Sequence, residues 1–175
     1  MSEKNISEHV SGCGEWYSLP GSLSDVVCST RVRLARNLAD FPFPGHFKSD
    51  DSVRVQTLIF DAFLKSEKAD SYQALAVAGI DPLNAGLLIE RGLIQPSTLN
   101  SPGGGLVMRI NGKKANSGLV CTINDEDHVR ISCFCSGLDC DTAFENCLEV
   151  DELLQKSLQF AASYDFGYLT ANVKD

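Results

Sequence analysis

The chain has 175 residues, 43% of them hydrophobic and 22% charged, and a formal net charge of −8 at pH 7. That is the composition of one globular domain with a real core, and its acidity excludes the basic footprint that non-specific nucleic-acid binding needs. No apolar run approaches the roughly 20 residues of a membrane span and the polar opening "MSEKNISEHV" lacks a signal-peptide apolar region, so a cytoplasmic protein without a nucleic-acid or membrane partner is expected.

Residues 1–23 read as an irregular lead-in, with Trp16 and Tyr17 able to pin it to the body. The stretch "CSTRVRLARN" then places Arg31, Arg33 and Arg36 close together in a β-branched run. As a strand it presents Arg31 and Arg33 on one face and Val32 and Leu34 on the other. Guanidinium forks suit phosphate oxygens, so the pair reads either as an anion clamp or as a solvated strand face.

"FPFPG" is a rigid turn. In "SDDSVRVQTLIFDAFLKSEK", Val55, Leu58, Ile59, Ala62 and Phe63 fall at helical spacing after a Ser49/Asp50 cap. "IDPLNAGLLIERGLI" predicts a short helix capped by Asp81, opened by Pro82 and stopped by Gly92. "GGGLVMRINGKKANSGLVCTIN" predicts two strands around an "NGKK" turn. In "HVRISCF", His128, Arg130 and Ser132 alternate with Val129, Ile131 and Cys133, as in a half-buried strand paired with its predecessor across Asp125 to Asp127. A long helix is expected over residues 142–163, its stripe formed by Phe144, Cys147, Leu148, Leu154, Leu158 and Ala161. "YDFGYLTANVKD" begins as another strand and stops. The sum is an α+β fold: a mainly antiparallel sheet flanked by helices.

Seven cysteines without an export signal suggest reduced thiols in the core. "CFCSGLDC" (Cys133, Cys135, Cys140) raises a zinc or redox module. It lacks C-x-x-C pairs, and no histidine follows at ligand spacing, so no metal site is expected there. In "NDEDHVRI" the three acids read as a wet turn. The sharper reading sets Glu126 four residues before Arg130, a carboxylate and a guanidinium able to hold a cationic substrate beside an anionic one.

Taken together and in order, these stretches resemble the ATP:guanido phosphotransferases, which include creatine kinase, arginine kinase and the bacterial protein arginine kinases. "STRVRLARN" is similar to the family's S-[ST]-R-[IV]-R strand, "INDEDHVRI" to N-E-E-D-H-[LI]-R-I, "LLIERGLIQPSTLNSP" to a bacterial L-V-E-K-H-L-I-S-P segment, and "FGYLT" to G-Y-L-T. The resemblance runs from about residue 24 to 170, and implies that residues 24–175 are the first part of a guanido kinase catalytic domain. It implies that Ser29, Thr30, Arg31, Val32, Arg33 and Arg130 bind the phosphates of ATP, with Mg2+ as cofactor. It further implies that Glu126 holds and deprotonates the guanidinium substrate between its acidic neighbours Asp125 and Asp127. The implied substrate is an arginine-containing protein or a small guanidino compound.

Two features depart from the family pattern. Gly92 stands where bacterial relatives have a nucleotide-contacting histidine. The sequence also stops after "GYLT", before the family's C-P-[ST]-N segment and later phosphate contacts, so an unpaired half-sheet edge is expected, to be covered by a homodimer or a complementing chain or else removed by a rearranged chain end. The alternative is a non-catalytic homologue that binds nucleotide or a kinase partner without turnover.

Overall fold

A computed structural model describes residues 15–48, 50–110 and 118–172. Ser49 of the expected cap, the "NGKK" turn and most of the lead-in lie outside the described residues. Seven strands and three α-helices are described: β1 (Ser29–Arg36), α1 (Asp51–Leu64), β2 (Tyr72–Ala76), α2 (Pro82–Glu90), β3 (Gly105–Arg109), β4 (Val120–Ile123), β5 (Val129–Ser136), α3 (Cys140–Gln155), β6 (Ala162–Ser163) and β7 (Gly167–Tyr168). Five of the strands form one sheet in the order β1-β5-β4-β3-β2, antiparallel throughout. The expected α+β architecture is the one observed.

The sheet's two faces carry different cores because side chains alternate along each strand. On one face Val107, Cys121, Ile123, Val129, Ile131 and Cys133 pack against Val55, Ile59 and Phe63 of α1 and Cys147, Val150 and Leu154 of α3. On the other, Leu106, Met108 and Val120 are covered by Leu88 of α2 and by Leu93 and Ile94 just after it. This second cover reaches only the β2-β3-β4 side. The outer face of β1 and β5 therefore stays open beside α2, and the candidate site lies there.

Local chemistry explains the helix limits. α2 begins as expected, with the Asp81 carboxylate accepting from the Leu83 and Asn84 N–H groups, at 3.0 and 3.1 Å, and Gly92 leaves it at φ +68°. In α1 the Asp50 side chain makes no capping bond. Instead Asp51, in the first turn, accepts from the Lys48 N–H at 3.0 Å.

α3 departs from expectation. It ends at Gln155 rather than near 163, because the chain beyond it pairs with the exit of β1: Ala39 N–H donates to Gln159 O and Ala161 N–H to Asn37 O. Its buried face also differs. Phe144 and Leu148 are exposed, whereas Asn146 and Asp151 are buried. Each of these polar side chains meets an arginine from the sheet. Arg109 Nη1 donates to Asn146 Oδ1 at 3.0 Å, and Arg36 grips Asp151 through Nε and Nη2 at 2.9 and 3.0 Å.

Candidate functional site

The ladder between β1 and β5 assembles the open face. Arg31 lies opposite Phe134, Arg33 opposite Ser132, and Ala35 opposite Arg130. Arg31, Arg33, Arg130, Ser132, Phe134 and Thr122 of β4 line one shallow groove, bordered by Gly92 to Gln95 after α2. Arg36 takes no part in it. Alternation sends its side chain to the opposite layer, where it pairs with Asp151 and stacks over Tyr168 at 3.7 Å. Alternation also sends Thr30 and Val32 away from the groove. Thr30 Oγ1 donates to Gly137 O at 2.7 Å and accepts from the Asp139 N–H, and Val32 packs on the main core. Ser29, at the start of the strand, is exposed.

The acidic loop between β4 and β5 is held in place by Asn124. It adopts φ +53°, a left-handed conformation that asparagine tolerates. Its Nδ2 donates to Ser52 O at 2.8 Å and to Gly103 O at 2.9 Å, which moors the loop to the start of α1. Gly103 is obligatory here, because a Cβ would stand 2.6 Å from Ser52 O.

The three acids of that loop occupy different surroundings. Asp127 is fully buried. Its Oδ1 accepts from Asn37 Nδ2 and from the Ala171 N–H, both at 2.7 Å, and its Oδ2 accepts from Arg130 Nε at 3.0 Å. Glu126 is half exposed and pairs with Arg130 Nη2. Asp125 accepts a long 3.4 Å bond from Ser97 Oγ. Burial alone lowers the affinity of Arg130 for its proton, but the Asp127 and Glu126 carboxylates more than offset it, and its pKa is raised.

Asp125 and Glu126 also border a second cleft of about 350 Å³, with Phe47, Pro102 and Ala171 among its walls. Asp125 lines both the groove and the cleft. The cleft has an acidic mouth and apolar walls, which suits a cation on an aliphatic stem.

His128 leaves the expected alternation. It precedes the first residue of β5 and turns into an aromatic nest, stacked on Phe47 at 5.3 Å and edge-on to Phe41 and Phe43. Its Nδ1 accepts from the Leu38 N–H at 2.8 Å, so Nε2 carries the proton and donates to Pro42 O at 3.0 Å. The neutral ring thus satisfies both partners, and burial lowers its pKa below the ordinary 6.5. Between that lowered value and 6.5 the unfolded chain binds a proton that the folded chain refuses, so stability falls as pH drops through this window. Unfolding midpoints in urea at pH 7.5 and pH 5 are expected to differ more for the wild type than for His128→Asn.

Among the described residues no group of three or more His, Cys, Asp or Glu side chains could hold a metal ion by itself. Cys133, Cys135 and Cys147 belong to the main core. Burial pushes the Cys135 and Cys147 thiols up to about 12, and Cys140 is exposed. Among those residues, too, no helix is long and apolar enough to cross a membrane.

The family described as ATP:guanido phosphotransferase, C-terminal catalytic domain, matches residues 54–175, well over half of the chain. The chain belongs to this family. A protein-arginine kinase of Syntrophomonas wolfei is 38% identical over 154 residues, covering 86% of this chain and 42% of that protein. One of Geobacillus stearothermophilus is 33% identical over 159 residues, covering 89% and 42%. The chain thus spans less than half the length of the curated relatives it matches. In fold it is similar to lombricine kinase, with a TM-score of 0.72 at 18% identity over 94% of this chain and 52% of that one. It is also similar to the substrate-free duplicated taurocyamine kinase of Schistosoma mansoni, with a TM-score of 0.71 at 22% identity over 90% and 24%.

Polar or aromatic groove residues that the sequence does not mark as binding residues include Thr122, Ser132 and Phe134. The period-2 pattern that pairs Ser132 with Arg130 was available for two of them, since Phe134 continues the same alternation. Thr122 becomes a neighbour only through the register of β4 on β5.

Proposed function

We propose that this chain carries the phosphate-binding and acid-bearing part of a phosphoryl-transfer site acting on guanidinium groups, with protein arginine as the acceptor. The observation that carries the reading is the Arg130–Glu126 pair. It joins a groove lined by arginines to a cleft mouthed by carboxylates, so an anionic donor and a cationic acceptor would meet across it. Arg31 and Arg33 bind and orient the polyphosphate through their guanidinium forks and balance charge as the γ-phosphoryl group moves. Glu126 orients the guanidinium and takes its proton as the new N–P bond forms and the bond from phosphorus to the leaving oxygen of ADP breaks. Asp127 does not reach the substrate in this reading; it fixes the Arg130 guanidinium. Mg2+ would shield the phosphate oxygens, and Asp125 offers the hard carboxylate oxygen such an ion takes alongside phosphates and water. An acidic, apolar-walled cleft supports a side-chain guanidinium, and the protein-arginine kinase relatives favour a protein carrying it.

A second reading, nucleotide binding without turnover, is favoured by the engagement of Glu126 with Arg130. The deciding experiment incubates the chain with labelled MgATP and an arginine-rich protein and seeks acid-labile phosphoarginine. Product supports the transfer reading, binding without product supports the second, and absence of both ends the kinase reading.

A further inference from the structure

The chain has one tryptophan, and it lies against the candidate groove. Trp16 stacks on Phe134, with ring centroids 5.4 Å apart and planes 15° from parallel. Phe134 is opposite Arg31 in the ladder, and the Arg31 guanidinium stands 5.7 Å from the centroid of the same ring. Gly118, before β4, fixes the flank of this arrangement. Its N–H donates to Phe134 O at 3.0 Å and its O accepts from the Phe134 N–H at 3.2 Å. A Cβ on Gly118 would lie 2.5 Å from Trp16 Cδ1 and 3.1 Å from Phe134 Cβ. The indole therefore takes the space a side chain at 118 would fill, and this glycine is required for the stack.

We infer that Trp16 is a positioning residue for polyphosphate binding, acting on Arg31 through the Phe134 ring. The inference rests on the reading of Arg31 as a phosphate contact. An exposed arginine loses much rotamer freedom when it closes on an anion. A guanidinium already resting on an aromatic face has given up part of that freedom beforehand. Phe134 serves as that platform only while its ring is held upright, and the indole holds it. The segment ahead of β1 is then part of the anion face rather than a lead-in to it.

The test uses inorganic tripolyphosphate and MgATP as probes of the full chain, with affinity from calorimetry and Trp16 emission as a local signal. In the wild type, tripolyphosphate is expected to change the emission. Trp16→Ala and Phe134→Leu are each expected to weaken its binding about 2–5-fold, and Trp16→Phe, which keeps a stackable ring, to restore it. In an Arg31→Ala background, Trp16→Ala should add nothing further, because both act through one contact. A merely structural loss would instead add to that of Arg31→Ala. Additive losses, or an unchanged affinity in Trp16→Ala while Arg31→Ala binds weakly, overturn the role of Trp16 and leave the phosphate reading standing. If the wild type does not bind tripolyphosphate, or Arg31→Ala binds it equally well, the phosphate reading fails and this inference falls with it.

Discussion

Asp127→Ala is expected to lower the free energy of unfolding by about 3–5 kcal/mol, the range for removing one member of a buried ion pair. The carboxylate is fully buried and Arg130 nearly so. Without it, the Arg130 Nε loses the oxygen it donates to, the Ala171 N–H loses its acceptor, and the Asn37 amide loses one of its two. Buried donors left without acceptors carry their full desolvation cost. Asp127→Asn should lose less, since its remaining oxygen can still accept. Urea titration of both variants measures the difference. A loss under about 1 kcal/mol for the alanine variant, the level of a surface pair, would show that Asp127 is not the hub of this loop.

One residue earlier the expectation inverts. Glu126→Gln should leave stability nearly unchanged, because Glu126 is half exposed and solvent screens its ion pair. On the transfer reading proposed above, phosphoarginine formation should fall about 10²–10⁴-fold, the usual contribution of a positioned base. Glutamine matches the shape but can neither take the proton nor balance the guanidinium charge. ATP affinity should be little changed, because Arg31 and Arg33 are untouched. Single-turnover rates with nucleotide binding measured alongside separate these effects. A variant that keeps its rate within about threefold would remove Glu126 from the role of base.

That adjacent acids divide between holding the fold and facing the solvent was not readable from "NDEDHVRI", which shows three like residues in a row. The division comes from Asn37 and Ala171, both distant in sequence, whose donors converge on position 127. Elements with strong local signals were legible. β1, α1, β5 and the capped α2 follow from alternation, helical spacing and the Asp81–Pro82 start. β2 was missed because "YQALA" has no alternation and is only partly buried at the sheet's rim. The stripe on α3 was misjudged because apolar spacing cannot reveal that Arg36 and Arg109 reach across from the sheet to bury Asp151 and Asn146. The aromatic nest of His128 was equally hidden, being built by "FPFP" and Phe47 from a remote part of the chain.

The β1–β5 ladder also constrains the order in which the protein acquires its shape. β3, β4 and β5 follow one another in a meander and pair through short connections, whereas β1 reaches its partner only by closing a loop of about a hundred residues, an entropic cost paid before any contact rewards it. Low contact order favours the meander as the early structure, with β1 docking late. Arg31 and Arg33 therefore meet Arg130 only near the end of folding. A nascent or partly unfolded chain therefore lacks the groove, whose walls exist only once the β1–β5 ladder has closed.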